Sequence, residues 1–121
     1  MSQPTTYVFV SAVAGSMAML FKKLNIDMEQ VTLDELAGMI KQDDVIINFV
    51  RHPKTLELIK QKIQKPIVDG GKEYKLDPSH KIVMFGLAQR QEKSGEEVNV
   101  TSEEQLVIFI VTVNSATPLS R

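Results

Sequence analysis

The densest chemistry in this chain lies where an apolar run breaks into charge. Val45-Ile46-Ile47-Asn48-Phe49-Val50 is followed by Arg51-His52-Pro53-Lys54-Thr55. A histidine can hold or release a proton near neutral pH. Proline suits the first turn of a helix, and free N–H groups at such a start can bind a phosphate. A phosphate seated there beside His52 would meet an acid able to protonate the oxygen that leaves a phosphodiester. The same residues also describe an ordinary surface histidine at a helix start, and the spacing alone leaves both readings open.

Two further stretches could share that chemistry. Lys81-Ile82-Val83-Met84-Phe85-Gly86-Leu87-Ala88 reads as a central strand that ends in the charged cluster Gln89-Arg90-Gln91-Glu92-Lys93. Ser11-Ala12-Val13-Ala14-Gly15-Ser16 is built of small residues that would let a ligand come close, or would simply make a plain turn. Arg51, Lys54 and Arg90 could form a local basic pocket. The other polar groups invite blander readings: His80 sits in a polar turn, Asp43-Asp44 precedes a strand, and Gly70-Gly71 suggests hairpin chemistry. There is no P-loop, no G-x-S-x-G elbow and no carboxylate cluster fit for two metals. A metal-free reaction is therefore favoured, such as in-line attack by the 2′-hydroxyl of RNA on its own phosphate.

The elements that must hold these residues follow from periodicity. Thr6-Tyr7-Val8-Phe9-Val10 is a first strand. Met17 to Leu24 reads as a helix capped by Ser16, and Ile26 to Val31 as a short edge strand. Thr32 and Glu35 form a capping box ahead of the apolar stripe Leu33, Leu36, Ala37 and Ile40. Val45 to Val50 is a strand, and Leu56, Ile59 and Ile63 recur at helical spacing after Pro53. Glu73 to Leu76 reads as a strand, Glu96 to Leu106 as polar with at most a turn of helix, and Val107 to Val113 as a last buried strand. Residues 114–121 read as a loose tail. The expected fold is a single α/β domain over residues 1–121, with a mixed sheet of about five strands flanked by helices.

Composition narrows the function classes. At 121 residues the chain can bury a core without metal or disulfide staples. It has no cysteine, which excludes thiol catalysis and thiolate-bound zinc, and its two histidines cannot form a multi-histidine metal site alone. A net charge of −1 argues against a general binder of long nucleic acid. No apolar run approaches the ~20 residues of a membrane span, and the first residues lack a signal peptide's pattern, so the expected location is cytoplasmic.

Three stretches in series resemble the viral type III anti-CRISPR ring nucleases, which degrade cyclic tetra-adenylate. Ala14-Gly15-Ser16-Met17-Ala18-Met19-Leu20 after the first strand is similar to that family's N-A-F-S-x-N-M-L. Ile46 through Thr55 is similar to I-I-N-x-x-G-H-x-S-T, and Lys75 through Arg90 to a strand ending in S-Q-R-L-E-E-G. The resemblance implies a mixed α/β fold and a symmetric homodimer that binds the ring across its interface without cofactor or metal. It makes His52 the general acid, puts Ser16 (beside Gly15) against the ribose-phosphate, and assigns Thr55, Gln89 and Arg90 to ligand binding.

The chain departs from that pattern at several places. The family asparagine before the first helix falls on Val13, the glycine before the histidine on Arg51, and the small residue after it on Lys54. Arg51 and Lys54 would add positive charge for substrate binding. The family's second glutamate aligns with Lys93, which leaves Glu92 or Glu96 to take its place, and Glu92 is the expected catalytic carboxylate. Lys72 is the possible substitute for an arginine before the hairpin strand. The resulting expectation is a metal-independent ring nuclease acting on a cyclic oligoadenylate and switching off type III CRISPR signalling. The rival is a dimeric module that binds a cyclic nucleotide or RNA without cleaving it.

Overall fold

In a computed structural model, residues 3–11, 18–71, 73–87 and 106–119 are described. β1 (Thr6–Val10) is the organising strand. Its alternating side chains are buried on both faces, Tyr7 and Phe9 in one apolar cluster, Val8 and Val10 in the other. A strand buried on both sides needs neighbours on both edges. β1 pairs in parallel with β3 (Val45–Asn48) and with β5 (Lys81–Leu87).

The sheet grows outward from that trio. β4 (Val68–Asp69) joins β3 in parallel, β6 (Leu106–Pro118) runs antiparallel to β5, and β2 (Phe21–Val31) runs antiparallel to β6 at the far edge. Among the described residues the order is β2-β6-β5-β1-β3-β4 in a six-stranded mixed sheet, in line with the expected mixed sheet of about five strands.

Among the described residues two helices complete the α/β fold. α1 (Leu33–Met39) starts at the expected capping box: the Glu35 N–H donates to Thr32 Oγ1 at 3.0 Å and the Thr32 N–H to Glu35 Oε1 at 2.9 Å. α2 (Pro53–Lys62) connects the parallel strands β3 and β4, the crossover that parallel pairing demands. Leu33 and Leu36 of α1 and Ile59 of α2 pack with Phe9, Phe85 and Ile108 on one face of the sheet, and Phe9 and Phe85 meet edge to face at 5.1 Å. Asp34 and Lys62 tie the two helices by an ion pair. On the opposite face, Tyr74 and Leu76 cover Val8, Val10, Ile82 and Val111.

Four local expectations are corrected. Of the helix expected over 17–24, residues 18–20 form a turn and β2 begins at Phe21, so the short edge strand at Ile26–Val31 is the end of an 11-residue strand. Leu, Lys and Met favour helices by only a few tenths of a kcal/mol each, and pairing with β6 along the whole strand outweighs that preference. Residues 114–118 are not loose, because β6 continues through them against Phe21–Asn25. Glu73–Leu76 is not a strand. Its alternation arises because Tyr74 and Leu76 lie down on the sheet face while Glu73 and Lys75 face water. The β3 strand stops at Asn48, two residues early. The expected cap at Ser16 and the segment Glu96–Gln105 lie outside the described residues.

Candidate functional site

Three of the four parallel strands, β1, β3 and β5, end together. Ser11 follows β1, Val50 follows β3, and Phe85 and Gly86 lie near the end of β5; with His52 and Thr55 of the α2 start they line a cavity of about 210 Å³. Among the parallel strands β1 is the switch point, with β3 and β4 on one side of it and the later β5 on the other. Crevices outside the carboxyl ends of strands at such a point are the usual ligand positions in open α/β sheets.

The turn that delivers His52 is built by Asn48. This residue is only 4% exposed. Its Nδ2 donates to the Val50 carbonyl at 3.0 Å and its Oδ1 accepts from the Val50 N–H at 3.1 Å, so both ends of the amide are satisfied by one neighbour. The backbone is also pinned on both flanks, by Phe49 N–H to Phe9 O and Gly70 N–H to Asn48 O, each 2.8 Å. Gly70 has to be small. A Cβ there would run into the Phe49 ring and lie 2.8 Å from Ile47 Cγ2. Phe49 is backed by Tyr74, with ring centroids 5.3 Å apart.

His52 is the N-cap of α2, a position usually held by Ser, Thr, Asp or Asn. Its Nδ1 accepts from the Thr55 N–H at 3.4 Å and lies 3.3 Å from Thr55 Oγ1. An Nδ1 that accepts a backbone N–H carries no proton, so the neutral ring is protonated at Nε2. Nε2 is then the nitrogen left to meet a ligand.

The other expected site residues divide. Arg51 is committed elsewhere: its Nη2 lies 3.1 Å from Asp69 Oδ1, in an exposed pair beside β4, and it does not line the cavity. The Gly71 N–H first, and then the Arg51 guanidinium, hold the Asp69 carboxyl below its ordinary pKa. Lys54 is exposed on the first turn of α2. Thr55 is buried and turned to His52. Gly15, Ser16, Lys72, Gln89, Arg90 and Glu92 lie outside the described residues, as do Val13 and Lys93.

Sequence reasoning missed Val50, Phe85 and Gly86 as cavity residues, and took in Ser11 only as the start of the small-residue stretch after β1. The parallel pairing of β1 with β3 and β5 is what gathers them, and no local signal announces it. His80 is structural: its Nδ1 lies 3.0 Å from the Tyr74 hydroxyl, which also accepts the Asp77 N–H at 3.1 Å.

A larger cavity, about 360 Å³, opens at the opposite end of β1 among Thr5, Tyr7, Lys41, Asp44 and Lys81. Of its two carboxylates, Asp43 and Asp44, the second is occupied: Asp44 accepts from the Thr5 and Lys41 N–H groups at 2.8 Å each. The Tyr7 hydroxyl donates to Met39 O at 3.4 Å, and burial pushes its pKa up. No histidine lines this cavity, so size does not make it the better candidate. Among the described residues no group of three or more His, Asp or Glu side chains is placed to hold a metal.

The sequence profile of the STIV B116-like family matches residues 6–110, which take in β1, both helices and the His52 turn. The chain belongs to the STIV B116-like family. No curated protein matches it in sequence. Among solved structures it is similar to B116 of Sulfolobus turreted icosahedral virus, with a TM-score of 0.55 and 12% identity, over 89% of this chain and 98% of that one. At that identity the likeness is one of fold, and it agrees with the mixed α/β sheet described above. The family carries a viral protein's name, in keeping with the viral kinship suggested by the three sequence stretches.

Proposed function

We propose that this B116-like protein is a metal-independent ring nuclease that cleaves cyclic tetra-adenylate and so switches off type III CRISPR signalling. The observation that carries the reading is the setting of His52: Nδ1 tied to the start of α2, Nε2 without a partner among the described residues, at a cavity where three parallel strands end. The three-stretch resemblance and the viral family support it. The substrate's 2′-hydroxyl attacks the adjacent phosphorus in line and loses its proton to solvent water, the P–O5′ bond breaks, and His52, protonated on both nitrogens, gives its Nε2 proton to the departing 5′ oxygen and returns to the neutral ring. A 2′,3′-cyclic phosphate and a free 5′-hydroxyl result.

Size makes the protein's assembly part of this proposal. The cavity of about 210 Å³ falls below the roughly 300–1,000 Å³ that encloses a whole small ligand. It can take only part of one nucleotide, so a ring of four must rest on further surface. A two-fold partner would supply that surface and set a second His52 against the opposite phosphate.

Labelled cyclic tetra-adenylate incubated with protein in EDTA tests the reading. Wild type is expected to yield linear products. His52→Asn keeps a good helix cap but has no acid, and should cleave about 10²–10⁴-fold more slowly while still binding. Equal cleavage by the two proteins would refute the assignment. Intact ligand co-eluting with wild type would replace it with the capture module.

A further inference from the structure

We propose that Thr55 is a positioning residue for His52, its hydroxyl serving the imidazole and not the ligand. Thr55 is 7% exposed and so offers a ligand little surface. Among the described residues, the only hydrogen-bond partner of its Oγ1 is His52 Nδ1, at 3.3 Å. The residue is at the third helical position, whose N–H meets the N-cap side chain. His52 Nδ1 is thus addressed twice by Thr55, once from the backbone and once from the side chain.

The two contacts are not equivalent. A backbone N–H only donates, and at 3.4 Å it is a long bond. A hydroxyl donates or accepts by rotation. While the ring is neutral, both donors can face the Nδ1 lone pair and keep the proton on Nε2. Once the ring carries protons on both nitrogens, the Nδ1–H and the Thr55 N–H oppose each other, and the hydroxyl is the group that can turn and accept. Thr55 therefore holds the ring on the cap in both protonation states, which an acid must pass through in each turnover. Its β-branch restricts χ1 and keeps the hydroxyl aimed.

The kinetic part of this inference rests on the ring-nuclease reading; the spectroscopic part does not. Thr55→Val removes the hydroxyl and preserves shape, Thr55→Ser preserves the hydroxyl, and Thr55→Ala is a second deletion should the valine variant not fold. Long-range ring ¹H–¹⁵N spectra at alkaline pH report which nitrogen carries the proton. Wild type and Thr55→Ser should show well-separated Nδ1 and Nε2 shifts with the proton on Nε2. In Thr55→Val or Thr55→Ala the two shifts should converge as tautomers mix. With cyclic tetra-adenylate, kcat should fall about 10- to 100-fold without the hydroxyl, with ligand affinity within about twofold, and Thr55→Ser should restore kcat. Wild-type shifts in the hydroxyl-free variants overturn the inference. So does a loss of affinity with unchanged shifts, which would make the hydroxyl a ligand contact. Shifts that behave as stated in a wild type that does not cleave uphold the positioning role and refute the ring-nuclease reading alone.

Discussion

Asn48→Asp should convert a silent structural amide into a pH-dependent lesion beneath the site. The substitution keeps the shape, and one carboxylate oxygen can still accept the Val50 N–H. The other replaces the Nδ2 donor and faces the Val50 carbonyl oxygen across 3.0 Å. One hydrogen bond, worth about 1 kcal/mol net, is lost, a buried carbonyl is orphaned, and a charge is placed at a position 4% exposed. Together these should cost about 3–4 kcal/mol at pH 7.5, a large part of the roughly 5–15 kcal/mol that stabilises a typical domain. A protonated carboxyl can donate to the Val50 carbonyl and restore the pair, so folding raises the introduced group's pKa. The folded state then keeps the proton to higher pH than the unfolded state, and stability is lost as pH rises from the ordinary carboxylate range toward the raised value. The deficit relative to wild type should fall to about half at pH 5. Urea unfolding followed by circular dichroism at pH 5.0 and 7.5 measures both numbers. Asn48→Ala is the control, with a similar deficit that does not change with pH. An Asn48→Asp protein as stable as wild type at pH 7.5, or one with equal deficits at both pH values, would refute the account of the turn.

Two further expectations concern the two ends of the sheet. Gly70→Ala drives a methyl into the Phe49 ring, which Tyr74 backs; overpacking of about 1–3 kcal/mol outweighs the gain of about 0.4–1 kcal/mol from a stiffer unfolded chain, and thermal unfolding should show a net loss. Asp44 has its pKa lowered, first by the Lys41 N–H and then by the Thr5 N–H. Its contribution is therefore present above the ordinary value of 3.8 and lost as pH falls through the depressed folded value. Asp44→Asn should cost about 1 kcal/mol at neutral pH, with the gap to wild type closing in acid titrations below that range.

Much of the frame was readable before any fold was known. The capping box at Thr32 and Glu35 is a contact between residues three apart, and it stands as the sequence implies. The Pro53 start of α2 and the placing of His52 before it are equally local. β2 shows the limit. Its residues are acceptable in a helix, and only β6, with partners 77 to 97 positions away in register, makes them a strand. The misreading of residues 114–118 is the same error from the other side, since an exposed polar-looking end becomes a strand only when Phe21–Asn25 pairs with it.

The site divides along the same line. Sequence by itself determined that a histidine stands between a strand end and a proline-led helix, and that an asparagine and a threonine flank it at fixed offsets. Tertiary structure decided what these residues do. It faced Arg51 toward Asp69 and away from the cavity. It buried Asn48 against Val50 and set Gly70 under Phe49, and it brought Ser11 and Phe85 to His52 by laying β3 and β5 on either side of β1. Caps and turns are written in neighbouring residues because their hydrogen bonds close over a few positions. A cavity at converging strand ends depends on which distant strands pair, and that choice rests on burying both faces of β1 at once.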